Sequence, residues 1–445
     1  MNFPIEFKKR MKNMLKDEYE DFEKAFSSDQ NSNAIRINTR KENAKQLIFS
    51  KFGELENVPW CPSGFYADKT KISGNHPYHL SGLFYFQEAS AMCAGEALPV
   101  SKNDKILDLC AAPGGKSTHI AAKLFGTGLL VSNEINKKRA SILSENIERM
   151  GFSNVIVTNE SPEKLEQKFP HFFDKIIVDA PCSGEGMFRK EPQAIDEWSI
   201  AHTLSCAIRQ KNILQSAIKM LKPGGLILYS TCTFAPCENE ENISYVLDNF
   251  PDFKLVEITT LSCIDDGLTP LTKRIYPHKQ KGEGHFAALL KNINEPVLKK
   301  EATQMSNVSK ENLKLIDDFF KKFMNIEIPD GVLISFGEQV YVLPKGINID
   351  KLKVLRPGLH LGVLKKGRFE PAHALCTALS STCFKNVIDF SPESAELSSY
   401  LNGNTLPSDK NGWTVVCTSK IPVGWGKASG GVLKNHYPKH MRIFG

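Results

Sequence analysis

Between residues 105 and 290 the apolar positions fall into short unbroken runs, and most runs are followed by a stretch whose apolar residues recur every three or four positions. The runs are KILDLC at 105 to 110, GLLVSNE at 128 to 134, NVIVT at 154 to 158, Ile176 to Val178, and GGLILYST at 224 to 231. Ile176 to Val178 does not alternate as a half-buried strand would and predicts a strand covered on both faces, as in a parallel sheet, and the other runs predict the strands of a repeated βαβ pattern. The stretches 111 to 125, 136 to 150, about 201 to 221 and 237 to 247 predict the helices, the third stopped at Pro223, with a short irregular helix before the fourth strand. FKLVEI, near 253 to 258, and HFAALL, near 285 to 290, close the sheet. The expected fold is α/β, a Rossmann-like doubly wound sheet.

The flanks follow different patterns. Residues 2 to 26 predict one or two amphipathic helices with Phe3, Phe7, Met11, Met14 and Leu15 as apolar positions. NAIRINTRK, 33 to 41, alternates Ile35 and Ile37 with Arg36 and Asn38, which predicts a half-buried strand with a basic outer face, where Arg36, Arg40 and Lys41 either touch phosphate or face solvent. Residues 57 to 82 are loop-rich, and 84 to 98 predict a helix ended by Pro99. Beyond the sheet, residues 292 to 312 lack an apolar period and predict a linker. A helix at 313 to 323, a hairpin about Gly337 and further short strands then imply β-rich modules. The expected organisation is a small α+β N-terminal domain at 1–85, the sheet domain at 86–293, a linker at 294–312, an intermediate α+β module at 313–365 and a β-rich module at 366–445.

Length agrees with several domains, since 445 residues exceed what one core normally supports. A net charge of +6 permits a nucleic-acid partner without requiring one. Eleven cysteines, no secretory leader and no membrane-length apolar window point to a reducing, cytoplasmic setting without a membrane partner. The cysteine spacings lack the paired ligands of a zinc site, so no metal is expected.

Two places carry chemistry. Asp108 to Lys116, DLCAAPGGK, sets Gly114 and Gly115 where a strand gives way to a helix, so backbone N–H groups can approach a ligand. The spacing is neither GxGxxG nor a P-loop. Glu134 closes the next strand, where a carboxylate can accept both ribose hydroxyls; with the compact turn this suits S-adenosylmethionine. Asn159, Glu160 and Ser161 follow the third strand and either contact adenine or cap a helix. DAPCSGEG then puts Asp179 and Cys182 at the sheet mouth, and STCTF puts Cys232 beside them, because the fourth and fifth strands are expected neighbours. A thiolate adding to cytosine C6 makes C5 nucleophilic, and a base must later remove the C5 proton. Lys116 is a candidate to lower a thiol pKa. The competing readings are a disulfide, disfavoured in a reducing compartment, and two unrelated core cysteines.

DLCAAPGGKSTHIA, DAPCSGEGMFRK and STCTFAPCENEENI, together with NAIRINTRK and FQEASAM, resemble the Sun-type RNA cytosine-C5 methyltransferases from about residue 33 to 290. GWGK and GGVLKNHYPKHMRI look like the PUA-like tail of the bacterial, RsmF-like branch that modifies small-subunit rRNA. The resemblance implies a class I methyltransferase sheet, with Cys232 as the C6 nucleophile and Cys182 assisting breakdown of the covalent intermediate. It places Asp179 and Lys116 in the catalytic site. It assigns Cys110, Ala111, Ala112, Pro113, Gly114, Gly115, Lys116, Glu134 and Asp179 to S-adenosylmethionine binding. The expected substrate is RNA, 16S rRNA or the small subunit, acted on by a monomer; the same chemistry on tRNA, or a non-catalytic assembly factor, are the alternatives. Arg189, Lys190, Lys427, Lys434, Lys439 and Arg442 are candidate RNA contacts, with Trp425, His436 and Tyr437 as candidate stacking groups, although each cation singly also fits a solvated surface.

Overall fold

The computed structural model describes residues 3–27, 32–295 and 303–443. The chain opens on two helices, Ile5–Leu15 and Tyr19–Ser27. Their apolar faces bury Phe3, Phe7, Met11 and Leu15 with Phe22 and Phe26 against Phe188, Trp198 and Phe234, residues of the two loops that carry the paired cysteines. A small antiparallel sheet follows, made of β1 (Ala34–Ile37), β2 (Gly64–Tyr66) and β3 (Phe84–Phe86) in the order β2-β1-β3. The helix expected over 84 to 98 is thus a strand followed by the short helix Met92–Ala97. Three consecutive aromatics favour a pleated surface over a helix, and the boundary expected near 85 runs through β3.

The basic outer face expected for β1 is also absent, because the neighbouring domain covers it. Arg36 is fully buried: Nε donates to Gln87 Oε1 at 3.0 Å, and Nη2 donates to Thr118 Oγ1 at 2.6 Å and to the Gly115 carbonyl at 3.2 Å. Asn38 donates to the Gly82 and Met150 carbonyls, and Lys41 to the Thr377 carbonyl. Arg40 alone of the candidate basic residues here is exposed. The strand therefore fastens the N-terminal sheet to the glycine turn.

The central sheet begins with β4 (Lys105–Asp108), β5 (Leu129–Asn133), β6 (Val155–Thr158), β7 (Phe173–Asp179) and β8 (Leu221–Thr231), all parallel. The outer edge adds β9 (Phe253–Val256), β10 (Lys273–Ile275) and β11 (His285–Asn292), with β11 antiparallel to β8. The helices Gly115–Lys123, Lys137–Met150, Pro162–Lys168, Ile200–Met220 and Glu240–Asn249 lie between strands, and two apolar clusters fill the opposite faces of the sheet. This is the expected doubly wound arrangement. Its order reverses at β4, between β5 and β7, which opens a crevice at the carboxyl ends of these strands.

Of the expected linker, residues 296 to 302 lie outside the described residues. The helix Lys310–Phe323 then leads to β12 (Val332–Phe336) and β13 (Gln339–Leu343), a hairpin turning at Gly337. The intermediate segment is not a separate layer, for β14 (Val354–Pro357) pairs antiparallel with β6 and extends the central sheet. β15 (Leu359–Lys365) and β16 (Arg368–Pro371) form one hairpin, so the boundary expected at 365 falls inside a paired unit. The last sheet contains β17 (Val387–Phe390), β18 (Leu406–Pro407), β19 (Gly412–Thr418), β20 (Ile421–Ser429) and β21 (Val432–Asn435). Among the described residues no helix is long and apolar enough to cross a membrane.

Burial fixes the pH response of this fold. Burial, the largest cause, pulls His76, His119, His285 and His360 down to about 4 and His79 to about 3, from 6.5. Each therefore stabilises the folded state above about pH 6.5, and that contribution is lost as pH falls toward 4. Asp108, pushed up to about 7 by burial, and Glu238, also raised by burial, act in the opposite direction but are fewer than these histidines. The thermal unfolding midpoint is expected to fall when pH is lowered from 7 to 5; a flat or rising midpoint in that window contradicts this assignment.

Candidate active site

β7 and β8 are in parallel register with Asp179 beside Ser230, so the loops leaving them emerge side by side. Cys182 lies three residues past one strand and Cys232 one residue past the other, and their Sγ atoms are 3.2 Å apart. All cysteines are free thiols, so the pair is a hydrogen-bonded contact rather than a disulfide. Hydrogen bonding to Cys232, then burial, pushes the Cys182 thiol well above its ordinary value, and the buried Glu238 carboxylate adds to the effect. This disfavours a thiolate at Cys182.

Three chain segments converge to hold this contact. The Gly186 N–H donates to the Cys232 carbonyl at 2.8 Å. A Cβ on Gly186 would sit 2.8 Å from that same oxygen, and one on Gly284 would sit 2.4 Å from Phe234 Cζ, so neither position has room for a side chain. Behind Cys182, the Ser183 N–H and hydroxyl both donate to Glu238, as does Gln210 Nε2 at 2.8 Å. Glu185, fully buried, accepts from Arg10 of the first helix, Trp198 Nε1 and the Phe234 N–H. Glu185 and Glu238 thus satisfy the backbone and side-chain donors that two adjacent buried loops would otherwise leave unpaired.

Asp179 faces the same mouth. Lys116 Nζ donates to its Oδ2 at 2.5 Å and Ser230 Oγ to its Oδ1 at 2.8 Å. Burial alone would raise this carboxyl; Lys116, His285 and Ser230 outweigh burial and leave it below its ordinary value. Asp179 in turn raises Lys116 against the opposing effect of burial. Acid and ammonium are both charged, a fixed pair one side chain away from the thiols. Lys116 contacts Asp179 and not a cysteine, so the geometry does not place it as a direct thiolate partner.

The glycine turn sits beside this pair. Gly114 has φ +113°, a left-handed conformation open to glycine, and it begins the helix Gly115–Lys123. Arg139 Nη2 donates to the Ala112 carbonyl at 2.9 Å, and Arg139 also lies 3.5 Å from Glu134. Asp108, under the turn, accepts from Ser117 through Oδ2, while its buried Oδ1 has no partner among the described residues. A cavity of about 820 Å³ runs from Glu134 past Cys110–Pro113, Gly115 and Lys116 to Asp179, Cys182 and Cys232. Its chemistry fits S-adenosylmethionine: a carboxylate for a ribose at one end, acidic groups near a cationic centre, and the thiols at the other. Gly114 shapes the turn without lining the cavity.

Asn159, Glu160 and Ser161 are used structurally. Asn159 donates to the Glu134 and Ile135 carbonyls, Glu160 accepts from the Lys353 N–H, and Ser161 caps the helix Pro162–Lys168. Pro162 and Glu163 line the cavity instead. Arg189 is held by Glu283 through Nε and Nη2, both at 2.9 Å, and Lys190 lies 3.6 Å from the same carboxylate. In the tail Lys427, Lys434 and Lys439 are exposed and Arg442 half-buried. Trp425 and Tyr437, expected as stacking groups, are 2% and 1% exposed and pack in the core, whereas His436 is exposed beside Trp413. An alternating apolar pattern does not separate stacking aromatics from core aromatics, which explains the difference. One group among the described residues, Cys61, Glu96 and His119, has metal-ligand spacing, but its contacts are mutual hydrogen bonds and Lys123 already neutralises Glu96.

His285, Glu185, Glu238 and Ser230 were not singled out in the sequence. His285 stood at the head of a strand whose apolar run drew attention to its closing role, and its place after GEG was the available signal.

Comparison with known proteins covers nearly the whole chain. The family described as 16S rRNA methyltransferase RsmB/F matches residues 96–291. The N-terminal domain of 16S rRNA methyltransferase RsmF matches 3–89, the first C-terminal domain of RsmF rRNA methyltransferase 318–379, and the methyltransferase RsmF PUA domain 386–443. The ribosomal RNA small subunit methyltransferase F of Shewanella oneidensis is 33% identical over 92% of this chain and 90% of its own length. The protein of that name from Vibrio vulnificus is 32% identical with the same coverage. Among solved structures, NSun6 from Pyrococcus horikoshii with SFG is similar with a TM-score of 0.60 at 25% identity, over 66% of this chain and 99% of that one. A methyltransferase homologue from the same organism gives 0.57 at 29% identity, over 64% and 93%.

Proposed function

Because this chain belongs to the RsmB/F family of 16S rRNA methyltransferases, in its RsmF-type form, we propose that its paired thiols methylate C5 of a cytosine in 16S rRNA by way of a covalent protein–RNA adduct. The protein is an S-adenosylmethionine-dependent rRNA cytosine-C5 methyltransferase. The observation that supports the covalent route is the 3.2 Å contact between the Cys182 and Cys232 thiols.

Cytosine C5 becomes nucleophilic once a thiolate has added to C6. Cys232 is the sulfur we assign to that addition, as the family resemblance implies, and the upward shift of Cys182 disfavours the alternative thiolate. The Asp179–Lys116 pair supplies a fixed acceptor and donor for the edge of the base. S-adenosylmethionine supplies the methyl group as an electrophile. The turn from Cys110 to Lys116 would hold it, with Glu134 on the ribose and Asp179 near the reacting end. When the adduct breaks down, the Cys182 S–H hydrogen-bonds the departing Cys232 thiolate. Cys182 thereby lowers the cost of releasing a charged leaving group in a buried site.

RNA affinity would come from outside the crevice. Lys427, Lys434 and Lys439 are exposed on the last sheet and its C-terminal extension, with Lys427 5.4 Å from the Trp413 ring centroid. Arg189 and Lys190, whose charge Glu283 offsets, are weaker candidates than the sequence suggested.

Two outcomes are expected. Cys232→Ala loses methyl transfer by at least about a thousandfold and forms no denaturation-resistant RNA adduct, whereas Cys182→Ala accumulates one; an adduct on gels from Cys232→Ala would reverse the assignment. The triple variant Lys427→Glu, Lys434→Glu, Lys439→Glu weakens binding of 16S rRNA by about tenfold or more at low salt and flattens the salt dependence. Wild-type affinity and salt slope in filter binding would remove the tail from the RNA interface.

A further inference from the structure

Attack at C6 leaves one step without a residue. After methylation, C5 of the adduct carries both the new methyl group and the original hydrogen, and that proton must go before the sulfur can depart. Cys182 is a poor base for this because it already holds its proton. Asp179 has both oxygens engaged by Lys116 and Ser230, and Lys116 is charged. Glu88, on the same wall, accepts from Ser90, Ala91 and the Glu283 N–H. Glu163 and Glu191 are exposed at the rim.

His285 is different. β11 pairs with β8 so that Phe286 lies opposite Thr231, which leaves His285 and Cys232 each one residue beyond that last pair, and both line the cavity. The side chain lines the cavity with both thiols and Asp179, yet is only 3% exposed. Among the described residues neither Nδ1 nor Nε2 makes a hydrogen bond of normal geometry, the backbone of Gly284 acts on the ring only weakly, and Nε2 stands 3.6 Å from Asp179 Oδ1. A buried imidazole with two unused nitrogens is costly to keep unless a ligand completes it. Gly284, at φ +149° and pressed against Phe234, fixes the backbone immediately before it.

We propose that His285 is the base that takes the C5 proton from the methylated cytosine adduct. The inference rests on Cys232 being the C6 nucleophile. The C5–H bond breaks and its proton passes to a ring nitrogen of His285, leaving the electron pair shared with C4 as an enamine in the adduct, which re-forms the C5–C6 double bond only as the sulfur departs. The C6–S bond breaks in turn, leaving its pair on the Cys232 sulfur, where the Cys182 S–H meets it. Asp179, 3.6 Å away, offsets the imidazolium charge until the proton leaves for solvent with the product. Burial, then the charge of Lys116, holds the resting imidazole down to about 4, so it carries no second ring proton at physiological pH.

The test uses full-length protein, small ribosomal subunits reconstituted on 16S rRNA transcribed with [5-³H]cytidine triphosphate, and methyl-labelled S-adenosylmethionine in single turnover. His285→Gln and His285→Phe are expected to form a denaturation-resistant adduct that carries the methyl label and retains its tritium. Tritium release slows by about a hundredfold or more, while methyl entry into the adduct falls by less than about tenfold. Cys182→Ala, blocked after proton removal, should instead give a methylated adduct that has lost its tritium. The proposal is overturned if, in both His285 variants, tritium release keeps pace with methyl entry, whether fast or slow, or if neither forms an adduct. Failure of the Cys232 assignment would be separate and visible, as an adduct that persists in Cys232→Ala.

Discussion

The contact between Cys182 and Cys232 depends on a parallel register: β7 and β8 end together, with Asp179 beside Ser230, and the two loops that leave them cannot diverge before their thiols meet. Much of the surrounding structure keeps that meeting possible. Two buried carboxylates, Glu185 and Glu238, tie the loops from behind, and the absence of side chains at Gly186 and Gly284 lets three backbones approach. Leaving any of these donors unpaired in such a setting would cost about 1–3 kcal/mol each, enough to favour other loop conformations.

The flanking segments contribute to the same site. Helix Ile5–Leu15 sends Arg10 to Glu185 and packs Phe7 on Phe188 and Trp198, so the start of the chain braces the loop that carries Cys182. Arg36 reaches from the N-terminal sheet to the Gly115 carbonyl and Thr118, bracing the glycine turn. On the far edge β14 extends the central sheet, and Glu148, between Arg356 and His373, links the catalytic body to the C-terminal segments. The flanks pack on the catalytic body and hydrogen-bond to it.

The sequence made the doubly wound sheet legible because unalternating β-branched runs and capped helices are local signals. It brought Cys182, Cys232, Asp179 and the glycine turn to one crevice because parallel strands end at one mouth. Tertiary coverage was not legible. Arg36 and Lys41 look like a basic face until the neighbouring domains are known to lie on them, and Trp425 and Tyr437 look like stacking groups until the last sheet closes over them. β3 was hidden in a helix-favouring stretch because its pairing with β1 is non-local. His285 was hidden for a related reason: its importance lies in sharing a cavity with Cys232, more than fifty positions earlier, and in hydrogen bonds it does not make.

The central claim is that the thiol on the β8 loop attacks while the thiol on the β7 loop holds a proton. A 16S rRNA substrate bearing 5-fluorocytosine, which has no C5 hydrogen to release after methylation, would trap the wild-type enzyme at the covalent stage. Tandem mass spectrometry of the digested adduct should find the methylated nucleotide on the peptide containing Cys232. Attachment to the peptide containing Cys182 would contradict the account.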